Sequence, residues 1–421
     1  MQVEIVLDEK KLPGIDKLMT EILTLLDVCV SRLCRFDLRL EDIPISVLSG
    51  FSQLASRATY LQQLSLCNVS SRRTSFDLAE GGDYSSLCNI TSLSRLRFTG
   101  LSLPFNPHLV SLDVRDLQLT YSDLQTIFGV ECRLRNLVLY GLRPIHPSPQ
   151  SPSRPIQVKS LKTIALSINA AIASVDSTYP FSFLDMPNVT YLEMDCSASL
   201  TAIFGKSLAS ANIDTLKFTN HLPRLVAPPH TVENHEEIQF LQSFSSLRKL
   251  ELTHVPAKFL LSKFTTNSSP SRREVTRQRS IGSHMLQASR VDYRAHNITV
   301  EPLEETVATW PNLAFIRLDT AIAEDVVSLI SFIQCHRSVR TIELSTSAMR
   351  HLSFLKRKGD TVSTSPPDIL FRLNRRRTLE GDEGSTEDVK EWLSSIVDLK
   401  TAAPTNNLLS NGGSGLLSRL P

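Results

Sequence analysis

Four residues near the middle of the chain have side chains that could bind a metal ion: His230, His235, Glu236 and Glu237. Imidazole and carboxylate groups are common zinc ligands. The two histidines, however, are five residues apart in a proline-rich approach to a helix, which is a poor spacing for one metal ion. We interpret the acids as part of a helix N-terminus, where negative charge favours the helix dipole. The sequence therefore predicts no metal site and no cofactor.

The sequence has no signature of a known catalytic site. It lacks the phosphate-binding pattern G-x-x-x-x-G-K-[ST], the nucleophile pattern G-x-S-x-G, the zinc pattern H-E-x-x-H and the dinucleotide-binding glycine pattern. We therefore predict that the protein is not an enzyme. The alternative is an enzyme grafted onto a repeat scaffold, which would require a deep pocket with converging titratable groups.

Arginine, tyrosine and acidic residues recur at alternating positions of short apolar segments. The candidate partner-binding set is Arg35, Arg39, Arg95, Arg97, Arg115, Tyr140, Tyr191, Glu193 and Asp195. Arginine and tyrosine are favoured anchors at protein interfaces. If the segments stack in chain order, their shared surface is basic at one end and acidic at the other. We predict that this surface docks a protein partner, whose identity the sequence does not reveal; the alternative is a solvated sheet that only needs polar cover.

These residues lie in, or directly after, a phrase that occurs eleven times: a large aliphatic residue, two variable residues, a large apolar residue, one variable residue and a third apolar residue. The phrases begin at Leu33, Leu61, Leu93, Leu109, Leu134, Leu161, Val189, Ile213, Leu247, Leu313 and Val339. Such a unit cannot bury its apolar edge alone and must stack on a copy of itself. The pattern predicts an α/β solenoid: a curved parallel sheet, with the candidate set on its concave face and helices and loops on its convex side.

The phrases resemble the leucine-rich-repeat superfamily, specifically the irregular ribonuclease-inhibitor-like arrays. With the recurring Pro-Asn-Leu/Val at 187–189 and 311–313, and the strand and helix before Leu33, the layout is similar to the repeat half of the F-box/leucine-rich-repeat proteins of mushroom-forming fungi. That resemblance implies a substrate-recognition module of a cullin ubiquitin ligase, whose repeats hold the substrate. No F-box precedes the first phrase, so we expect no contact with the cullin adaptor.

The chain divides into one repeat domain and a C-terminal region. We predict a leucine-rich-repeat solenoid over residues 1–345, with disordered insertions near 144–155 and 263–283. A mostly disordered basic and acidic loop is predicted over 346–385, a helix that caps the sheet over 386–400, and a flexible tail over 401–421. The 66-residue interval between Leu247 and Leu313 leaves open whether it contains a degenerate repeat.

Two basic segments in the predicted loops resemble sites for basophilic kinases. Arg277-x-Arg279 precedes Ser280, and Arg375-Arg376-Arg377 precedes Thr378, so Ser280 and Thr378 are candidate phosphorylation sites. The alternative is a nucleic-acid-binding patch. Because no aromatic residues are interleaved with the arginines, we expect no nucleic-acid partner.

The overall composition is that of a folded protein, with 41% hydrophobic residues, 21% charged residues and a net charge of +2. No run of about 18 apolar residues occurs, so no membrane partner is expected. The seven cysteines are scattered without a C-x-x-C pair, which favours reduced thiols in the cytoplasm or the nucleus.

Overall fold

The structure is a computed structural model and describes most of the repeat region and part of the C-terminal region. The described residues are 1–7, 14–40, 50, 53–54, 57–68, 92–99, 108–115, 121–129, 132–142, 155–168, 179–196, 198–221, 232–264, 310–319, 322–353, 355–358, 361–364 and 387–402. Most of the predicted insertion near 144–155, most of the one near 263–283, Ser280, Thr378 and the tail from 403 onward lie outside the described residues.

A 13-stranded parallel sheet organises the molecule. Its strands are Gln2–Leu7 (β1), Arg35–Leu40 (β2), Gln63–Asn68 (β3), Arg95–Thr99 (β4), Ser111–Arg115 (β5), Asn136–Leu142 (β6), Thr163–Ile168 (β8), Tyr191–Cys196 (β10), Thr215–Thr219 (β11), Lys249–Thr253 (β12), Phe315–Leu318 (β13), Thr341–Leu344 (β14) and Asp398–Thr401 (β18). They lie in chain order, and each of the eleven phrases supplies one of them. The prediction of an α/β fold with a parallel sheet of phrase strands is confirmed.

The same hydrogen bonds join every phrase to the one before it. At all ten junctions, the backbone N–H groups of the second and third phrase positions donate to the carbonyl oxygen of the second position in the preceding phrase. The first junction, for example, joins Gln62 N and Gln63 N to Cys34 O at 2.9 and 3.2 Å. The second and third apolar residues of each phrase are therefore in register with those of its neighbours, as Phe36 is with Leu64.

Among the elements whose bounds the structure describes, six α-helices and three short 3-10 helices connect the strands up to β14, and two more α-helices follow it. The α-helices are Ile15–Asp27 (α1), Tyr121–Ile127 (α2), Leu200–Phe204 (α3), Val232–Gln242 (α4), Ala257–Leu261 (α5), Ala323–Cys335 (α6), Thr346–Ser353 (α7) and Val389–Ile396 (α8). The 3-10 helices are Val30–Arg32, Pro180–Phe183 and Ser262–Phe264. The apolar phrase residues and the inner faces of the helices form one continuous buried core on one side of the sheet. The other side of the sheet is thereby left to the alternating polar positions.

Helix α6 joins β13 to β14, and it shows how buried carboxylates form hydrogen bonds between consecutive helices. Asp325 of α6 accepts hydrogen bonds from Lys258 N in α5 at 2.8 Å and from Ile322 N at 3.0 Å. Glu237 of α4 accepts from Leu200 N at the start of α3 at 2.9 Å. In both pairs, a buried carboxylate satisfies backbone N–H groups that the preceding helix leaves without intrahelical partners.

The C-terminal region differs from the prediction in two ways. The helix expected over 386–400 is shorter, Val389–Ile396, and the strand β18 that follows it closes the described sheet by pairing with β14. Leu399 aligns with Ile342, so this segment follows the two-residue period of a strand. Within the loop expected over 346–385, the structure places α7 and an antiparallel pair of strands, Leu355–Lys358 (β15) and Thr361–Thr364 (β16).

Two further strand pairings lie outside the main sheet. Glu387–Asp388 (β17) pairs with β15, and Ile156–Gln157 (β7) pairs in parallel with Leu184–Asp185 (β9). They are short and do not alter the order of the large sheet, which positions the candidate site.

Candidate functional site

The side of the sheet opposite the core carries the predicted partner-binding residues, and we call it the polar face. It consists of the third, fifth and seventh positions of the phrases, which form three rows across the strands. Parallel pairing aligns the fifth positions, so that Arg97 lies beside Asp113, and Glu193 lies beside Lys217. Because neighbouring strands are about 4.8 Å apart, side chains in one row contact one another directly.

Strands β2 to β5 form the basic part of the polar face. Five arginines and two aspartates lie there: Arg35, Arg39, Arg95, Arg97, Arg115, Asp37 and Asp113. The Nε atoms of Arg97 and Arg115 lie 2.7 and 2.9 Å from the carboxylate of Asp113, so one buried carboxylate serves two guanidinium groups. Arg35 binds Asp37 at 2.6 Å, and the side chain of Arg39 is exposed. The basic part therefore retains an excess of positive charge after pairing.

Strands β6 and β8 form an uncharged centre. Val138 and Ala165 are buried although they lie on the polar face, because Tyr140 and Tyr191 pack against them. The guanidinium carbon of Arg115 lies 5.5 Å from the centre of the Tyr140 ring, within the range of a cation–π interaction. The structure thus brings the predicted Tyr140 and Tyr191 together around one small apolar cluster, next to the basic part.

The later strands carry a row of alternating charges that we call the charge ladder. Across β10, β11, β12, β13, β14 and β18, the fifth-position residues are Glu193, Lys217, Glu251, Arg317, Glu343 and Lys400, each in register with the next. Lys217 Nζ lies 3.5 Å from the carboxylate of Glu193, and Arg317 Nη1 lies 3.3 Å from that of Glu343. The end predicted to be acidic is therefore largely neutralised, because each carboxylate of the row has a cation on a neighbouring strand.

Tyr191 joins the uncharged centre to the charge ladder. Its hydroxyl group donates a hydrogen bond to Glu193 Oε2 at 3.0 Å. Burial raises the pKa of Tyr191 well above its ordinary value, and the negative charges of Glu193 and Glu251 raise the pKa further. The phenol is therefore held in its neutral, hydrogen-bond-donating form.

Asp195, the last predicted residue, lies where β10 ends. Its carboxylate accepts a hydrogen bond from Asn220 Nδ2 at 2.9 Å and contacts His221 Nδ1 at 2.8 Å. Asn220 has a positive φ of 56°, a left-handed conformation that asparagine tolerates better than most residues. The structure uses Asp195 to fix the turn after β11, so its carboxylate is already engaged within the chain.

Of the four residues considered as metal ligands, His230 lies outside the described residues, and the structure places Glu236 and Glu237 differently. Glu237 is buried and binds the N-terminus of α3, with Ser199 Oγ and Thr201 Oγ1 also donating to it, whereas Glu236 is exposed. Our interpretation of Glu237 as an acid on its own helix N-terminus was incomplete, since it caps a neighbouring helix. Across the described ranges, no group of three or more histidine, cysteine, aspartate or glutamate residues is placed to hold a metal ion.

A pocket of about 230 Å³ lies away from the polar face, beside β9. It is lined by Pro155, Ser182, Phe183, Leu184, Asp185, Lys206 and Ser207. Asp185 and Lys206 are its titratable residues, and neither histidine nor cysteine contributes to its wall. It lacks the set of converging titratable groups that the enzyme alternative requires.

Comparison with known proteins adds no relative: no protein family matches the chain, and no curated protein matches its sequence. In the part of the chain that the structure describes, no helix is long and apolar enough to cross a membrane.

Sequence reasoning missed two features of this face. The charge ladder becomes visible when the phrases are aligned at the fifth position, because the signs then alternate from Glu193 to Glu343. Its last member, Lys400, was missed because β18 has Thr401 where the other phrases have a third large apolar residue.

Proposed function

We propose that the protein is a non-catalytic leucine-rich-repeat solenoid that docks a protein partner on the basic part and uncharged centre of its polar face. The repeated hydrogen bonds at all ten phrase junctions support the solenoid, because a constant offset between identical units is what stacking repeats require. A substrate-recognition role related to that of F-box ubiquitin-ligase receptors is the finer form of this proposal.

The observation that carries the docking surface is the unequal charge on adjoining strands. Strands β2 to β5 present five arginines against two aspartates, whereas the ladder neutralises itself. The two tyrosines next to Arg115 add aromatic surface with a polar end, the combination that interface hot spots favour. These features suit a partner segment that is acidic and carries an apolar anchor.

The test reverses charge at the exposed edge of the basic part. Arg39→Glu changes an exposed side chain, so the fold should be retained. We expect Arg39→Glu, alone and with Arg95→Glu, to weaken binding of a fluorescent poly-glutamate peptide by about tenfold at low salt, measured by anisotropy. Raising the salt concentration should weaken wild-type binding in the same direction.

The matched control is Arg337→Glu, which makes the same charge change at an exposed turn after α6. If Arg337→Glu and Arg39→Glu weaken peptide binding equally, the effect depends only on the net charge of the protein, and the proposed docking surface is contradicted. Affinity purification with mass spectrometry then tests the finer role: partners should be lost from the Arg39→Glu variant and kept by the control. Recovery of a cullin adaptor would support ligase membership, and its absence would favour a free scaffold.

A further inference from the structure

The N-terminal end of the sheet combines an open strand edge with exposed apolar side chains. Within the described residues, β1 has a strand neighbour on one side only. Eight large apolar side chains are exposed among those residues, and five of them lie in residues 1–28: Met1, Val6, Leu18, Leu25 and Val28. Leu25 is 71% exposed and Val28 is 88% exposed, values unusual for large aliphatic side chains in a folded repeat. Backbone and apolar surface are thus both uncovered at one end.

Helix α1 carries two of these exposed side chains, Leu18 and Leu25. It connects β1 to β2 and buries Met19 and Leu26 in the continuous core. Leu18 and Leu25, seven residues apart, lie together on a different part of the helix surface, while Ile22 between them is partly buried against the core. Helix α1 therefore carries apolar side chains beyond those that its own core buries.

We propose that a second copy of this chain covers this end, through antiparallel pairing of the two β1 strands and contact between the two α1 helices. A two-fold axis perpendicular to the sheet keeps both cores on the same side, so the same operation pairs the edges and brings the helices together. This inference does not depend on the proposed partner on the polar face.

A second copy fits better than a head-to-tail neighbour because the apolar surface is concentrated at one end. At the opposite end, β18 presents exposed Asp398, Lys400 and Thr401, with Ile396 as the exposed large apolar side chain nearby. Because Asp398 and Lys400 lie on the polar face, stacking that end on β1 would set the exposed side chains of α1 against a helix side on which Ile396 is the exposed large apolar side chain among the described residues. Pairing two N-terminal ends buries apolar surface on both copies. The resulting dimer is closed, so no further copies can add to it.

Charge selects the register of the two strands. Core-side and polar-side residues stay on their own sides only if residues of the same face lie opposite each other. With Glu4 on the axis, two Glu4 carboxylates would be neighbours, which is unfavourable. With Ile5 on the axis, each Glu4 lies opposite Val6 of the second copy, so that arrangement is favoured.

The first test measures the mass of the 421-residue chain by sedimentation equilibrium across concentrations. We expect a reversible transition from one copy of 47.0 kDa to two copies. Leu25→Asp with Val28→Asp should raise the dimer dissociation constant by at least about tenfold, because two buried apolar groups become charged. The control Ile322→Asp changes an exposed aliphatic side chain at the start of α6 and should leave the dimer intact.

The second test checks the register through opposite charges at one exposed position. Val6→Lys would face Glu4 of the second copy and should tighten the dimer by about two- to threefold, whereas Val6→Glu should weaken it by a similar factor. Equal effects of the two variants would overturn the register. A monomer at all concentrations, a mass that grows beyond two copies, or a dimer insensitive to Leu25→Asp with Val28→Asp would overturn the proposal.

Discussion

The basic part of the polar face and the charge ladder contain similar residues but use them differently. In the ladder, each charge faces an opposite charge on the next strand, as Glu193 faces Lys217. In the basic part, Asp113 serves both Arg97 and Arg115, and Arg39 remains exposed. The number of charges on a face therefore does not decide whether that face can attract a partner. The pairing across strands decides it, because a paired charge first stabilises the register of its own sheet.

The largest effect is expected when a cation is removed from the buried end of the ladder. Lys217 is 2% exposed and Glu193 is 0% exposed. Lys217→Met keeps the length of the side chain but leaves the Glu193 carboxylate without its cation, so we expect the free energy of unfolding to fall by about 3–5 kcal/mol. Urea denaturation followed by circular dichroism measures the change.

Lys400→Met is the matched control, because Lys400 belongs to the same row but its side chain is 54% exposed. Solvent screens an exposed pair, so we expect a much smaller change in the free energy of unfolding than for Lys217→Met. If both variants lose the same stability, position along the ladder has no effect and the buried ion pairs do not hold the sheet together.

Substitutions in the basic part should change the free energy of unfolding less than Lys217→Met does, but they should also change peptide binding. Asp113→Asn removes the negative charge shared by Arg97 and Arg115, so we expect a loss of about 1–3 kcal/mol in unfolding free energy. The same change raises the positive charge of this surface, so binding of the poly-glutamate peptide should become tighter at low salt.

Asp37→Asn separates these two consequences, because Asp37 forms its ion pair with Arg35 and its side chain is less buried than that of Asp113. It should lose less stability while producing a similar gain in peptide binding. Weaker peptide binding in both variants would mean that the carboxylates, and not the arginines, contact the partner.

The repeat pattern made the sheet predictable, whereas the partners of individual side chains were not. Eleven phrases specify eleven strands because each places its apolar residues at the same spacing, and the spacing survives changes in loop length. The predicted charges on the polar face also follow from strand alternation. The pairing of these charges depends on the register between neighbouring strands. The sequence of a single phrase does not specify that register.

Glu237 and β18 illustrate what local sequence leaves out. From the sequence, Glu237 looks like an ordinary helical acid. Its hydrogen-bond donors are Leu200 N and Ser199 Oγ, which lie between β10 and β11, more than thirty residues earlier in the chain. Residues 398–401 form a strand because β14 offers an open edge with Ile342 in register. In both cases tertiary contact outweighed the local pattern.

The smallest effect is expected for Tyr191, which lies between the uncharged centre and the charge ladder. Tyr191→Phe removes the hydrogen bond to Glu193, so we expect a loss of about 1 kcal/mol near neutral pH. Burial raises the pKa of Tyr191, whereas in the unfolded chain the phenol ionises near its ordinary pKa of about 10. Above that pH the unfolded state releases a proton that the folded state keeps, so the stability that the raised pKa provides is complete below pH 10 and declines as the pH rises further. Phenylalanine does not titrate, and the difference in unfolding free energy between wild type and Tyr191→Phe should therefore narrow from pH 9 to pH 11; parallel curves would show that the phenol is not held neutral by its position between the uncharged centre and the ladder.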